Sequence, residues 1–453
     1  MTIEEFARRL RAREVTALEI TNSCLQRIDQ LQPSLNAFIR VMADEAKRDA
    51  ETADRELASG RDRGPLHGVP IAVKDIIDVR GIPTTAASRV REGHIAATDA
   101  PVIARLRDAG AVIIGKTNLD EFAFGTTCEN SAFGVVRHPL DTSRSPGGSS
   151  GGSAVAVATG MALAALGTDT GGSIRIPAAA CGIVGLKPTL GEISTDGVVP
   201  LAKTFDHVGP FTRTVGDAKL LHRAMSASAG AALHSGGADL HSGGADLPRS
   251  AKDLRLGIPR GYLTDLLDDD VRARFDEAAA ALRSAGATLM DVSVPHASIT
   301  PAVYIHIHSS EGATFHARTL DSVPERYTPV VRRRLELGRY VLAQDYARAM
   351  EGREVLRREV DAALEGCDAL LLPTLPIPAP PIGAETTTIG GREEPVRALM
   401  LRLTQLFNVT GHPAMSIPCG ATADGLPVGL QLVGRRLRTN DLLSTAVAIE
   451  RLL

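Results

Sequence analysis

The chain has 453 residues, room for roughly two or three domains of ordinary size. Hydrophobic residues make up 44% and charged residues 23%, the balance of a globular protein with a large core. A formal net charge of −3 gives no argument for nucleic acid or an anionic membrane surface as a partner.

Thr2-x-x-Glu5 and Thr16-x-x-Glu19 are capping-box patterns, so the N-terminal segment reads as helical. The opening MTIEEFARRLRARE is charged from its fourth residue and lacks the apolar run of a signal peptide. The five cysteines, Cys24, Cys128, Cys181, Cys367 and Cys419, form no C-x-x-C pair and fit a reducing, cytoplasmic setting. From Gly68 onward, short β-rich runs alternate with helical patterns. GVPIAVKD, AVIIGK, GIVGLK, LRLGIP, DALLLPT, AMSIPCG and GLQLVG read as buried strands. Residues 101–110, 154–166, 270–286 and 339–365 read as helices. The 154–166 stretch is the longest apolar one, and it is too short for a membrane span of about 20 residues. The alternation predicts an α/β fold, a β-sheet flanked by helices on both faces. No composition break forces a boundary, so residues 1–453 are expected to form one domain. Leu233–Asp246 is LHSGGAD written twice, which predicts a mobile Gly/Ser surface loop near 230–248. Pro373–Pro381 is proline-rich and predicts an extended surface segment.

The chemistry concentrates between Ser145 and Thr189, SPGGSSGGSAVAVATGMALAALGTDTGGSIRIPAAACGIVGLKPT. Two glycine-flanked serine clusters, Ser149-Ser150 and Ser173, lie either side of an apolar segment. Glycine lets a backbone approach a ligand closely, and a hydroxyl beside exposed N–H groups supplies a nucleophile and an oxyanion hole together. No histidine occurs in this stretch, so the base comes from elsewhere or is another residue type. Lys74, Lys116 and Lys187 stand at or near strand ends, and a lysine serves as a base once burial depresses its pKa. A phosphate loop would need Lys-Ser/Thr after the glycines, and an α/β-hydrolase elbow would need G-x-S-x-G in a strand–turn–helix setting. GGSSGGSA meets neither requirement. His306, His308, Glu311 and His316 are metal-ligand types at no standard zinc spacing, so no metal is expected.

These motifs resemble the amidase signature family of serine hydrolases. The resemblance rests on GVPIAVKD (68–75), TTCENSAFG (126–134), GGSSGGSA (147–154), GTDTGGSIRIPAAACGIVGLKPT (167–189) and GHPAMSIPCG (411–420). Lys74 precedes Ser149 by 75 residues and Ser149 precedes Ser173 by 24, spacings that match as well. The resemblance implies a mixed central sheet and an acyl-enzyme on Ser173. It implies a relay through Ser149, which follows a cis peptide, to Lys74 as terminal base. Backbone N–H groups of Thr170, Gly171, Gly172 and Ser173 then correspond to the oxyanion hole. Asp169, Arg175, Ser150 and Cys181 correspond to structural support. No cofactor is implied, and the partner is a small amide-type molecule; a homodimer is left open. The segment around His306–His316 is implied to line the substrate pocket.

Within the family, the glutamine-hydrolysing subunit of a tRNA amidotransferase is the main rival to a stand-alone amidase. Its glutamine-holding arginine aligns with Arg334, in VVRRRLELG, but its acidic partner is missing. Residues 395–412 contain no Asp or Glu, and Leu401 stands about where the acid belongs. The departure favours an apolar amide, anilide, carbamate or urea-like substrate over glutamine, unless Glu311 or Asp345 supplies the carboxylate. A catalytically idle interaction subunit would have no physical need for Lys74, Ser149 and Ser173 together.

Overall fold

The computed structural model describes residues 1–226 and 250–453. The LHSGGAD repeat, and with it the expected Gly/Ser loop, lies outside the described residues.

Thirteen strands are described: β1 (Phe38–Val41), β2 (Pro70–Lys74), β3 (Val112–Thr117), β4 (Ala164–Asp169), β5 (Val184–Lys187), β6 (His207–Thr212), β7 (Arg255–Pro259), β8 (Thr288–Val292), β9 (Ala369–Pro373), β10 (Thr386–Ile389), β11 (Arg392–Pro395), β12 (Ala414–Ala421) and β13 (Pro427–Val433). Eleven of them form one sheet in the order β1-β3-β2-β4-β6-β5-β12-β13-β9-β7-β8, while β10 and β11 make a separate hairpin. The sheet is mixed. β2 runs parallel to β3 and β4, and β7 parallel to β8 and β9, whereas the central strands from β4 through β6, β5, β12, β13 to β9 pair antiparallel.

Helices cover both faces, and alternation along β9 shows how. Leu370 and Leu372 point into one apolar cluster with Ile307, Leu356 and Val360, from helices Thr300–Ser322 and Ala343–Ala363. Ala369 and Leu371 point into another with Phe275, Leu282, Leu443 and Ile449, from helices Asp269–Ser284 and Thr439–Glu450. With side chains two residues apart on the same face, both sides of the strand are apolar because both are covered. Thr16 and Glu19 close the expected capping box, whereas Thr2 caps Glu5 N–H without the reciprocal bond. Among the described residues no helix is long and apolar enough to cross a membrane.

Two local expectations are corrected. The helix expected over 154–166 spans only Gly151–Ala158; Gly160, at φ +75°, ends it, and the chain enters the sheet as β4. An apolar run of that length serves a helix or a buried strand equally, and the left-handed glycine decides where one gives way to the other. Pro373–Pro381 is extended but largely buried. Pro380 accepts from Ser145 N (2.9 Å), and Pro376 accepts from Asp268 N (2.8 Å). Its alternating Leu375, Ile377 and Ala379 supply the apolar side chains that hold it inside.

Candidate active site

The site forms at the C-terminal ends of the parallel strands β2 and β4, where open α/β sheets gather loops. β2 ends in Lys74 and β4 in Asp169. Two loops meet there, 145–150 before helix Gly151–Ala158 and 170–174 before helix Arg175–Cys181. Ser150 N–H donates to the Ser173 carbonyl (3.3 Å), which joins them. The Gly148–Ser149 peptide is cis. Helix Gly151–Ala158 can press against its neighbours because Gly152 lacks a side chain: a Cβ there would stand 2.4 Å from the Ala37 carbonyl and 2.5 Å from that of Asn118.

Lys74 and Ser149 are fully buried, and Lys74 Nζ lies 2.8 Å from Ser149 Oγ and 2.7 Å from Thr168 Oγ1. Burial pushes the Lys74 pKa down from 10.5 to about 7, with the more distant carboxylates of Asp120, Asp169 and Asp206 opposing the shift. Half of the amine is therefore neutral near pH 7. The other two candidate lysines are also buried but are held away from the serines. Lys116 pairs with Asp75 at 2.9 Å and donates to Thr84 Oγ1 (3.1 Å). Lys187 donates to the carbonyls of Pro188 (3.2 Å) and His412 and lies 3.3 Å from His207 Nε2.

The loop carrying Thr170, Gly171, Gly172 and Ser173 is held from both sides. Thr170 Oγ1 donates to Asp206 (2.6 Å), and Thr404 Oγ1 donates to the Gly171 carbonyl (2.7 Å). Gly172 sits at φ +141°, a region in which a side chain is strained. Among the described residues, the N–H groups of Gly171, Gly172 and Ser173 meet no protein acceptor. Burial alone would raise the Asp169 carboxyl, but the Arg175 guanidinium at 3.0 Å holds it well below the usual range. Asp169 also accepts from Ile174 N–H (3.1 Å), so it shapes the turn directly. Arg175 spends its remaining donors on the Thr404 carbonyl (3.0 Å), Gln431 Oε1 (2.7 Å) and Asn408 Oδ1 (2.5 Å). Ser150 Oγ donates to the Thr168 carbonyl (3.2 Å), and Cys181 Sγ to that of Pro146 (3.5 Å).

Sequence reasoning missed several members of this assembly. Thr168, beside Lys74, sits inside GTDTGGS and could have been read there. Asp120 gives two backbone contacts around the serine loop: its N–H donates to the Ser149 carbonyl (3.1 Å), and its carboxylate accepts from Cys128 N–H (2.9 Å). Asn408 and Gln431 carry no motif, and only the fold brings them to Arg175.

The His/Glu segment is helical (Thr300–Ser322), and its side chains diverge. His306 is half-buried and bonds the Ala302 carbonyl, Glu311 accepts from Thr204 Oγ1 (2.7 Å), and His316 Nδ1 lies 3.0 Å from the Tyr327 hydroxyl. Among the described residues no group of three or more His, Cys, Asp or Glu side chains is placed to hold a metal ion. Tyr304, on the same helix, does reach the site. A Cβ at Gly171 would stand 2.6 Å from its hydroxyl and 3.0 Å from Leu401 Cδ2.

The sequence profile of the amidase family matches residues 19–443. The chain belongs to the amidase family. It is 41% identical over 469 aligned positions to a glutamyl-tRNA(Gln) amidotransferase subunit from Anaeromyxobacter sp. (strain K), covering 97% of this chain and 94% of that one. A crystal structure of an amidase superimposes with a TM-score of 0.92 at 38% identity over all of both chains. The corresponding glutamyl-tRNA(Gln) amidotransferase subunit from Thermotoga maritima superimposes at 0.79, with 33% identity over all of this chain and 94% of that one. The expected amidase fold, a mixed sheet between helical layers, is therefore what this chain adopts.

Proposed function

We propose that the chain hydrolyses the C–N bond of a small carboxamide through an acyl-enzyme on Ser173. The observation that carries this reading is the neutralisable, fully buried amine of Lys74 at 2.8 Å from Ser149 Oγ, beside the loop of free N–H donors. In this reading neutral Lys74 accepts the Ser149 proton while Ser149 accepts that of Ser173. Ser173 Oγ attacks the carbonyl carbon, and the developing oxyanion is held by the N–H groups of residues 170–173. Each such donor is worth about 3–4 kcal/mol in the transition state. The relay then reverses, the leaving amine takes the proton, and water releases the acid by the same route. This is triad logic with lysine in place of histidine. Thr168 Oγ1, accepting from Lys74, holds the amine with its lone pair toward Ser149.

Two readings of the substrate follow. The amidotransferase subunits among the relatives support glutamine, and they do so more strongly than they support a free-standing amidase. Leu401 beside Gly171 supports an amide without an amino group, because an ammonium taken into a closed pocket needs a carboxylate partner. Glu311 accepts from Thr204 and Tyr346, and Asp345 lies 3.7 Å from Arg348, so both of these carboxylates already have partners. A fluorophosphonate probe followed by peptide mass analysis tests the shared chemistry: it should label Ser173, and labelling unchanged in Ser173→Ala would sink the assignment. The isolated chain should then favour an amide lacking the amino group over glutamine by about a hundredfold in kcat/KM. Comparable values, or turnover only with added partner subunits, would establish the glutamine reading.

A further inference from the structure

Two peptide units carry the N–H groups of Gly172 and Ser173, and each is held by its carbonyl. The Gly172 carbonyl accepts from Ile176 N–H (2.7 Å), a bond made by the chain's own turn into helix Arg175–Cys181. The Gly171 carbonyl accepts from Thr404 Oγ1 (2.7 Å), a side chain 233 positions away, and among the described residues no other donor reaches it. Both units are trans, and a trans peptide is planar with its C=O and N–H on opposite edges. A hydrogen bond to the carbonyl therefore aims the N–H of the next residue the other way. Ile176 sets the Ser173 N–H in this manner, and Thr404 sets the Gly172 N–H.

The second of these depends on help from outside the loop. The unit between Gly171 and Gly172 joins two residues without a Cβ, and glycine takes φ of either sign, so the local backbone fixes neither orientation. Gly172 itself sits at φ +141°. Turned over, the unit would present a carbonyl where it now presents an N–H. Thr404 is built to prevent this. It is fully buried between helices Val396–Arg402 and Gln405–Val409. Its carbonyl accepts from Arg175 Nη1 (3.0 Å), so the guanidinium paired with Asp169 also anchors the Thr404 backbone. Its hydroxyl has one proton to give. The Leu401 carbonyl stands at 3.3 Å, against 2.7 Å for that of Gly171, so the proton goes to Gly171. The contact is also close-packed, since a Cβ on Gly172 would stand 2.3 Å from Thr404 Oγ1.

We propose that Thr404 is a positioning residue for hydrolysis, and that its hydroxyl holds the Gly171–Gly172 peptide with the Gly172 N–H facing the oxyanion formed at Ser173. The proposal rests on the amidohydrolase reading and deepens it by naming what keeps one of its donors in place. A carbonyl turned toward the oxyanion would repel it. Loss of the hydroxyl therefore costs the transition state and spares the bound ground state.

The test reads fluorophosphonate labelling of Ser173, because the phosphoryl oxygen gains negative charge as the serine adds and calls on the same donors. Thr404→Val keeps the branched shape and removes the hydroxyl. It should lower the maximal labelling rate about a hundredfold, the cost of one oxyanion donor, and leave the half-saturating probe concentration unchanged. Thr404→Ser restores the hydroxyl without the methyl group and should recover most of the rate. A Thr404→Val rate equal to that of the wild-type protein overturns the proposal. So do equal losses in Thr404→Val and Thr404→Ser, which would trace the effect to packing. A crystal structure of the labelled wild-type protein decides the matter even if the variants do not fold. Its phosphoryl oxygen should lie about 2.7–3.1 Å from Gly172 N, with the bond from Thr404 to Gly171 intact. A Gly172 N–H turned away from that oxygen overturns the proposal. Failure of the wild-type protein to label at Ser173 overturns the amidohydrolase reading itself.

Discussion

If Lys74 is the terminal base, its neutral form sets the rate, and pH should reveal it. With an unshifted pKa of 10.5, about one lysine in 3,000 would be neutral at pH 7; with the value near 7 that burial produces, about one half is. The buried site thus supplies roughly three orders of magnitude in active base before any chemistry begins. The sign is fixed: the amine is protonated and inactive below its pKa and competent above it. The acidic limb of kcat/KM, which reports the free enzyme, should therefore rise tenfold per pH unit below about 7 and level off above it. Asp206 complicates the limb, because burial raises its carboxyl to about 6 and it accepts from Thr170 beside the N–H donors. Asp206→Asn separates the two, since it should remove a component near 6 and leave the one near 7. Lys74→Met should lower kcat/KM by about 10³–10⁴, the upper range for general-base removal, and abolish the limb near 7. A wild-type profile flat from pH 5.5 to 8.5, or a limb near 7 that survives in Lys74→Met, would refute the assignment.

Two further outcomes follow from the same geometry. Arg175→Met leaves Asp169 buried without its cation and should cost about 3–5 kcal/mol in urea unfolding. With the guanidinium gone, burial favours the protonated carboxyl, so this deficit should be smaller at pH 5 than at pH 8; a deficit independent of pH would show that Asp169 is not the group left unpaired. Dialysis against a strong chelator should leave amide hydrolysis intact, because the relay uses only Lys74, Ser149 and Ser173. Activity lost and then restored by zinc would require a different mechanism.

Much of this arrangement was legible in the sequence because it is local. The glycine–serine runs predict loops in which hydroxyls and N–H groups lie together, and seven apolar β-rich runs coincide with described strands. The misreadings occurred where one pattern served two structures. The apolar stretch after Ser153 suits a helix and a buried strand equally, and the proline-rich stretch after β9 suits exposed and buried extended chain alike. What could not be read is what the fold brings from afar. Asn408 and Gln431 are ordinary polar residues in their own segments, and become part of the site only because β13 and the helix before β12 pack against Arg175. The partners separate the three lysines as well, since all three are buried at or near strand ends but only Lys74 has a serine within reach.

The contacts of Arg175 also set a schedule. Lys74, Ser149 and Ser173 are all in place within the first 173 residues, yet Arg175, which holds their loop, waits for partners as far as 256 positions downstream. In the proposed mechanism, a chain growing from the ribosome therefore carries Lys74, Ser149 and Ser173 long before their loop is braced. Until Asn408 and Gln431 emerge, Arg175 has only Asp169, and the turn with its row of donors has no far wall. Under the proposed mechanism, the loop is braced only after Gln431 has been made. For the same reason, a fragment ending before Thr404 would contain Lys74, Ser149 and Ser173 without the partners that hold Arg175.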